Sequence, residues 1–314
     1  MIHPIPSGTR DVLPDEMREL RAICDAMRGV FVAEGYGEVA TPSLEHESVL
    51  ARGGAGGLLP AYRVVDDHGA VLALRSDMTV PIARVVATRY ASAEPPLRFC
   101  YFANAFRSVR PHRGMQREFL QAGVELIGAA APEGTAEALR VLCAALDATG
   151  LQHYRVGLGD ASLYPSLLAE AGVPEAAREG ILHELSTRDF VGLERRLREL
   201  DLGAEERERL LTVPQLRGGP EVLDERAAAL RRVLDLLPDQ ARSRVIFDLG
   251  LVRDLSYYTG AVFEVYDPAL GQPIGGGGRY DDLLGRFGRS LPAVGFALTV
   301  DSLHVALTGE ERLG

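Results

Sequence analysis

The chain has 314 residues, of which 46% are hydrophobic and 25% are charged, a composition typical of a globular protein with a sizeable core. All 34 basic residues are arginine, which excludes a phosphate-loop lysine, a pyridoxal Schiff base and every other lysine-dependent chemistry. The formal net charge of −10 argues against broad electrostatic capture of nucleic acid, because basic groups supply most non-specific affinity.

The N-terminal part of the chain alternates between helix and strand patterns. Apolar residues recur at helical spacing from Asp15 to Glu34 and predict an amphipathic helix. A short strand is expected over residues 39–42, and the start of a second helix over 45–50. Two β-rich runs in residues 61–75 flank an Asp-Asp-His-Gly turn and predict a hairpin.

A polar segment, Leu74–Thr79, ends the hairpin just before a helix that is expected over residues 80–91. Two interpretations of Asp77 and Thr79 stay open at this point. Their side chains either cap the helix, or line a binding site where the strand gives way to the helix.

Residues 97–127 contain two strand-like runs around an arginine-dense loop. The loop carries Arg107, Arg110, Arg113 and Arg117. Planar guanidinium groups form paired, charge-assisted hydrogen bonds with phosphate or carboxylate, so the loop is a candidate anion site. A run of charge is more often a solvated face, and that alternative stays open.

The next part of the chain is dominated by helical patterns. A helix is predicted over residues 131–149 and a strand over 154–158. Leucine, alanine, arginine and glutamate then recur with helical period from 161 to 239, which predicts four or five helices. The charged run 194–198 is interpreted as the solvated face of one of them.

Strand-like runs return at residues 245–249, 261–266 and 293–300. Between the last two lie four consecutive glycines, Gly275–Gly278, which form either a tight turn with close sheet packing or a bare floor that a ligand approaches. Arg279 and Asp281 flank these glycines, and we expect them on an open surface.

Cysteine, histidine and hydropathy patterns narrow the class of protein. Cys24, Cys100 and Cys143 never form a C-x-x-C pair and are interpreted as buried thiols. The seven histidines lack H-E-x-x-H spacing, so neither a metal nor a cofactor is predicted. No apolar run is long enough to span a membrane and no signal pattern opens the chain, which predicts a cytoplasmic protein.

Several segments, in order, resemble the catalytic core of class II histidyl-tRNA synthetases. They are G-T-R-D-V-L-P from Gly8, L-R-S-D-M-T from Leu74, F-R-S-V-R-P-H-R-G-M-Q-R-E-F-L-Q-A-G-V-E-L-I-G from Phe106, L-V-R-D-L-S-Y-Y-T-G-A-V-F-E from Leu251, G-G-G-G-R-Y-D-D-L from Gly275 and P-A-V-G-F-A-L from Pro292. The set is specific to the histidine branch of the class, although each segment alone is weak.

The resemblance implies a histidine-sized pocket. Asp77 stands where the family has a glutamate for the substrate amino group, and Arg253 matches the arginine that serves the carboxylate. The predicted histidine-binding residues are Asp77, Thr79, Arg107, Gln121, Glu125, Arg253, Tyr257 and Tyr258. No catalytic residue is predicted.

The ATP side of the family pattern is degraded. Val109 replaces a carboxylate of the second class II motif, and Ser302 stands where the third motif has its nucleotide-binding arginine. Ser256 replaces an aspartate, and because the sequence ends at Gly314, soon after the third motif, no anticodon-binding domain is expected. Losing one preorganised contact costs about a hundred- to a thousandfold in rate, so efficient adenylation is not expected.

This combination resembles the synthetase-like regulatory subunits of ATP phosphoribosyltransferase, the first enzyme of histidine biosynthesis. The resemblance implies a short-form catalytic subunit as partner, a synthetase-like dimer within a hetero-oligomer, and free histidine as feedback inhibitor, with no tRNA and no membrane. An alternative is a truncated synthetase-like enzyme that forms an aminoacyl-adenylate. A tRNA-binding chaperone is a third, weaker interpretation.

The resemblance also implies an α+β fold, in which a mostly antiparallel sheet with flanking helices is interrupted by an all-α insertion. Residues 1–157 and 243–314 are expected to form the synthetase-like core domain. Residues 158–242 are expected to form the helical insertion domain.

Overall fold

The computed structural model describes residues 5–54, 61–108, 116–222, 227–251 and 257–313. The helices are α1 (Pro14–Ala33), α2 (Glu47–Leu50), α3 (Thr79–Arg89), α4 (Glu133–Ala148), α5 (Leu163–Glu170), α6 (Glu175–Ser186), α7 (Phe190–Arg198), α8 (Ala204–Thr212), α9 (Ala228–Asp235), α10 (Asp239–Arg242) and α11 (Val300–Leu313). The strands are β1 (Gly37–Glu38), β2 (Leu44–His46), β3 (Arg63–Val65), β4 (Val71–Leu74), β5 (Leu97–Phe106), β6 (Glu118–Ile127), β7 (Arg155–Asp160), β8 (Arg217–Gly218), β9 (Val245–Asp248), β10 (Ala261–Tyr266), β11 (Gly275–Arg279) and β12 (Ala293–Thr299).

A large mixed sheet organises the molecule. Within the described ranges its strand order is β1-β5-β6-β12-β11-β10-β7-β9-β8. Only the β1–β5 and β7–β9 pairs are parallel, and the other described neighbours are antiparallel. The prediction of a mostly antiparallel sheet with flanking helices is therefore confirmed. A separate small sheet has the order β2-β4-β3.

Helices cover one face of the large sheet. α1 begins at a proline followed by two acidic residues, and Gly35 takes a left-handed φ of 81° just after its end. Its buried residues Leu20, Ile23, Met27 and Phe31 recur at helical spacing and face the core, where α1 packs against α4 and α11. Met27 and Phe31 are 0% exposed, and each such burial stabilises the fold by about 1.5–3 kcal/mol.

The residues of the predicted insertion share this core. Leu193, Leu197 and Leu210, from α7 and α8, belong to the same cluster of buried side chains as Phe263 of the central strand β10. The two-residue strand β8 also joins the large sheet at its edge, beside β9. The division into a core domain and an insertion domain stays a prediction.

Two local predictions in the N-terminal part were wrong. The strand expected at residues 39–42 is Gly37–Glu38, which pairs in parallel with Phe99 and Cys100. The segment expected to open as a helix at Glu45 first pairs with β4 as the strand β2, and the helix α2 starts afterwards. In both cases backbone pairing with a distant strand outweighed the local pattern.

The four glycines lie in the middle of the large sheet. Gly275–Gly278 belong to β11, between β10 and β12, and not to a turn. Among the described helices, none is both long enough and apolar enough to cross a membrane.

Candidate functional site

A cavity of about 280 Å³ opens on the face of the large sheet opposite α1, α4 and α11, the face on which α3 packs. Its floor is made by β6, β10, β11 and β12, and its rim by residues at the start of α3. Side chains alternate across a strand, so Gln121 and Glu125 share this face of β6. The register places Thr299 opposite Gln121, and Gly295 opposite Glu125.

Glu125 is the most deeply buried acid beside the cavity. It is 1% exposed, and its carboxyl oxygens accept hydrogen bonds from Thr79 Oγ1 (2.7 Å) and from the Tyr280 hydroxyl. Burial raises the pKa of Glu125 to about 8, the two hydrogen bonds oppose that shift, and the nearby Asp77 carboxyl adds to it. Near neutral pH this group therefore holds its proton far more strongly than an exposed glutamate.

The glycine opposite Glu125 makes room for that carboxyl. A Cβ on Gly295 would collide with Glu125 Oε2 and lie 2.5 Å from the carbonyl oxygen of Val124. The Glu125 carboxyl thus lies over Gly295, the position of the neighbouring strand β12 that lacks a side chain.

Asp77 lies at the start of α3 and also on the cavity wall. Its Oδ1 accepts a hydrogen bond from the backbone N–H of Val80 (3.2 Å), so the residue caps the helix, and it also lines the cavity. A contact between Asp77 and a ligand stays a prediction. Withdrawal from solvent raises the pKa of Asp77, against the hydrogen bonds from Val80 and Ser76 and the positive charge of Arg107.

Gln121 brings an unsatisfied acceptor to the cavity. The residue is 5% exposed, and its Oε1 has no hydrogen-bond partner among the described residues. A buried amide oxygen without a hydrogen-bond partner lowers the stability of the fold by about 1–3 kcal/mol. Gln121 Oε1 is therefore suited to accept a hydrogen bond from an N–H group of a ligand.

Aromatic rings and one guanidinium complete the cavity. The Tyr257 and Tyr258 ring centroids lie 4.9 Å apart, and those of Tyr257 and Tyr280 lie 5.8 Å apart. The Arg107 guanidinium lies 4.9 Å from the centroid of the Phe119 ring, and the residue lines the cavity. Acidic, basic and aromatic groups thus converge on one small space.

The structure brings most of the candidate residues together. Asp77, Thr79, Arg107, Gln121, Tyr257 and Tyr258 line the cavity, and Glu125 bonds to Thr79 and Tyr280 on its wall. Arg253 lies outside the described residues, as do Val109, Arg110, Arg113 and Ser256.

The lining residues that the predicted set lacks include three with polar side chains, Tyr280, Glu264 and Thr299. Each sits in a segment that the sequence had singled out, and alternation along the strand was the available signal for Glu264 and Thr299. Tyr280 directly follows β11, but only the fold shows that its hydroxyl reaches Glu125.

The expectation that Arg279 lies on an open surface was wrong. Arg279 is 3% exposed, and it donates to the carbonyl of Ala129 (2.8 Å), to Thr135 (3.3 Å) and to Asp281. These bonds tie β11 to the start of α4, so the role is structural. In the described part of the chain, no three His, Cys, Asp or Glu residues group closely enough to hold a metal ion.

Known proteins resemble the chain along most of its length. The family model for histidyl-tRNA synthetase matches residues 8–303. A relative from Moorella thermoacetica, named ATP phosphoribosyltransferase regulatory subunit, is 42% identical over 96% of this chain and 81% of its own length. A relative of the same name from Symbiobacterium thermophilum is also 42% identical, over 96% of this chain and 79% of its own.

Solved structures of related proteins also resemble the chain along most of its length. A Bacillus halodurans protein, described as an ATP phosphoribosyltransferase regulatory subunit/histidyl-tRNA synthetase, superimposes with a TM-score of 0.89 at 34% identity and covers 98% of this chain and 84% of its own. Histidyl-tRNA synthetase from Nostoc sp. PCC 7120 has a TM-score of 0.83 at 22% identity over 99% of this chain and 76% of its own, a likeness of fold alone.

Proposed function

Since this chain belongs to the histidyl-tRNA synthetase family and, within it, to the ATP phosphoribosyltransferase regulatory subunits, we propose that it binds free histidine in the cavity and so regulates a catalytic partner. The partner is a short-form ATP phosphoribosyltransferase catalytic subunit, joined to a synthetase-like dimer of this chain in a hetero-oligomer. Histidine, the end product, is the feedback inhibitor, and tRNA takes no part.

The main observation in favour of histidine binding is that three groups complementary to histidine line one small cavity. The Asp77 carboxyl suits an α-ammonium group, and the Arg107 guanidinium suits an α-carboxylate. The unpaired Gln121 Oε1 suits an imidazole N–H. A volume of about 280 Å³ is near the lower end of the usual range for ligand pockets and favours a single amino acid.

The same cavity supports binding better than catalysis. Histidine activation would need ATP beside the amino acid, yet Val109 and Ser302 stand where the family places a carboxylate and a nucleotide-binding arginine. Ser302 lies in the first turn of α11, where it extends a short, uncharged side chain. A chain that keeps the residues for binding the amino acid but lacks two of those for binding ATP is suited to sensing histidine, not to activating it.

Regulation requires histidine to prefer one of two states of the assembly. An effector shifts such an equilibrium only by the difference between its affinities for the two states, with typical coupling free energies of about 1–3 kcal/mol. Because the binding site and the catalytic site lie on different chains, the coupling has to cross a subunit interface.

The deciding experiment adds this protein to the short catalytic subunit and follows phosphoribosyl-ATP formation. We expect activity to rise on addition and to fall about fivefold or more when histidine saturates the regulatory chain. Histidinol, which lacks the carboxylate, serves as the matched control and should inhibit far less. No change in activity with both proteins folded would refute the regulatory function.

A second assay tests the alternative, an enzyme that forms an aminoacyl-adenylate. It measures histidine-dependent exchange of pyrophosphate into ATP by this chain alone. We expect no exchange above the protein-free rate. Clear exchange would instead establish the adenylate-forming enzyme, for which Arg107 on the cavity wall is the favouring observation.

A further inference from the structure

A second cavity, of about 360 Å³, lies on the same sheet face as the first, on the far side of β10. Glu264 lines the first cavity and Tyr266 lines the second. The two residues are two positions apart on β10, so both side chains project from this face. Across the ladder, Arg155 of β7 pairs with Tyr266, and farther out Arg217 of β8 pairs with Asp248. We refer to this second cavity as the arginine groove.

Three guanidinium groups and one imidazole surround the arginine groove. They belong to Arg155, Arg188, Arg217 and His153. Arg217 Nε and Arg188 Nη2 share a single oxygen, Oδ2 of the buried Asp248, at 3.0 and 3.4 Å. Arg155 is exposed, and its bond within the described residues is to the carbonyl of Tyr154 (3.1 Å). In the part of the chain that the structure describes, Asp248 and Asp267 are the two acids that line the groove, so three guanidinium groups face two carboxyl groups, in a chain whose formal net charge is −10.

Asp267 is a buried acid on the wall of the groove. The residue is 3% exposed and lines the groove. Its Oδ1 accepts from the backbone N–H of Ala269 (2.8 Å). Burial raises the pKa of Asp267, and a hydrogen bond shared with the neighbouring Glu310 carboxyl adds to that shift.

The backbone at Arg188 points to a use for its side chain. Arg188 has a left-handed φ of 56°, at a position just after the end of α6 where glycine is the relaxed choice. A non-glycine residue in this region is strained, because its Cβ crowds the following carbonyl oxygen. The side chain held there donates to the Tyr266 hydroxyl (3.0 Å) and reaches Asp248.

Tyr266 connects the groove to the first cavity. Its hydroxyl accepts from Arg188 and donates to Glu264 Oε2 at 2.5 Å. A Cβ on Gly157, which pairs with Glu264, would lie 3.1 Å from the Tyr266 ring, so the ring packs closely over bare backbone. An anion that draws Arg188 away from Tyr266 would change the hydrogen bonding of a residue that lines the first cavity.

We propose that the arginine groove binds a small molecule through a phosphate or carboxylate group, and that its occupancy is linked through Tyr266 to that of the first cavity. Guanidinium forks match both oxyanions, and a pocket of this size holds a small metabolite. The binding half stands independently of the histidine proposal, whereas the linkage half rests on it.

The binding half is tested by calorimetry on the whole chain, with inorganic pyrophosphate in one arm and citrate in the other. We expect at least one of them to bind, and Arg155→Gln to weaken it about tenfold or more, the loss of one charge-assisted contact. Arg188→Gly is the second groove variant. It removes the guanidinium and places glycine at a left-handed φ, so weaker binding in this variant could not be due to added backbone strain. Arg21→Gln, an exposed arginine on α1, is the matched control and should bind like the wild type.

The arm that binds identifies the oxyanion. The proposal is overturned if neither ligand binds the folded wild-type chain at millimolar concentration, or if both groove variants bind as tightly as the wild type.

The linkage half is tested by titrating histidine with and without a saturating groove ligand. We expect the histidine affinity of the wild type to shift about fivefold or more, and the shift to vanish in Tyr266→Phe. An unchanged wild-type affinity, or an equal shift in Tyr266→Phe, would overturn the linkage. If histidine does not bind even without the anion, the proposed function fails while the anion titrations still decide the groove.

Discussion

At the scale of single residues, the burial of Glu125 carries a consequence for stability. Its pKa in the folded chain is about 8, against an ordinary value of 4.5, because burial disfavours the ionised form. Between these values the folded chain keeps a proton that the unfolded chain has released. Folding stability due to this group is therefore fully present below about pH 4.5 and is lost as the pH rises to about 8.

A Gln variant isolates that effect. We expect the free energy of unfolding of the wild type to fall, relative to Glu125→Gln, by up to about 4 kcal/mol between pH 5 and pH 8. Urea unfolding of both proteins at several pH values measures the difference. A difference that stays constant across this range would contradict the raised pKa.

Asp77 combines a local structural role with the proposed ligand contact, and one substitution separates the two. Asp77→Asn keeps an oxygen for the Val80 N–H but removes the charge. We expect histidine to bind about 10- to 100-fold more weakly in calorimetry, with the fold intact. Asp67→Asn, at an exposed position in the β3–β4 turn, is the control and should bind normally. Equal affinity in both variants would remove Asp77 from the site.

At the scale of elements, the glycines of β11 leave no room for side chains against the neighbouring strand β12. A Cβ on Gly277 would lie 2.7 Å from Cα of Phe296 and 2.8 Å from its Cβ, because β11 and β12 approach closely there. Atoms of the main chain cannot move aside as the tip of a flexible side chain does. The missing side chains thus set the distance between two central strands.

Two glycine substitutions should have opposite effects on stability. Gly277→Ala is expected to destabilise the chain by about 1–3 kcal/mol or more through overpacking. Gly29→Ala, on the helix α1 with nothing within 4 Å of the added Cβ, should stabilise it by about 0.5–1 kcal/mol. Denaturant midpoints compare the two. Stabilisation by Gly277→Ala would mean that the strands separate more easily than their packing implies.

At the scale of the whole molecule, the core is continuous between the sheet and the helices of the predicted insertion. Leu193 and Leu210 lie in the same buried cluster as Phe31 and Phe263. An insertion that shares its core with the rest of the chain cannot unfold without exposing that core.

We therefore expect a single unfolding transition. In urea, far-ultraviolet circular dichroism and tyrosine fluorescence should report the same midpoint. Two separated transitions would show that residues 158–242 fold as an independent unit, as the predicted domain division alone would suggest.

Patterns over neighbouring residues were enough to predict the helix α1 and the strand β10, but not the short elements between residues 37 and 50. The spacing of apolar residues along α1 and the branched and aromatic residues of β10 are properties of neighbouring residues, so the structure confirmed both predictions closely. The short segments that resemble the synthetase family carry Asp77, Gln121 and Tyr258, and the fold brings these three to one cavity.

How segments far apart in the chain meet depends on the three-dimensional packing and could not be predicted from local patterns. Gly275–Gly278 alone are compatible with a turn, and they form a central strand because β10 and β12 satisfy their hydrogen bonds on both sides. Pairing likewise places Gly295 under Glu125 and buries Arg279 against Ala129. The arginine groove had no local signal, since its side chains come from strands and turns that only the sheet brings together. Periodicity is encoded over a few residues, whereas register, burial and charge proximity depend on packing across the whole chain.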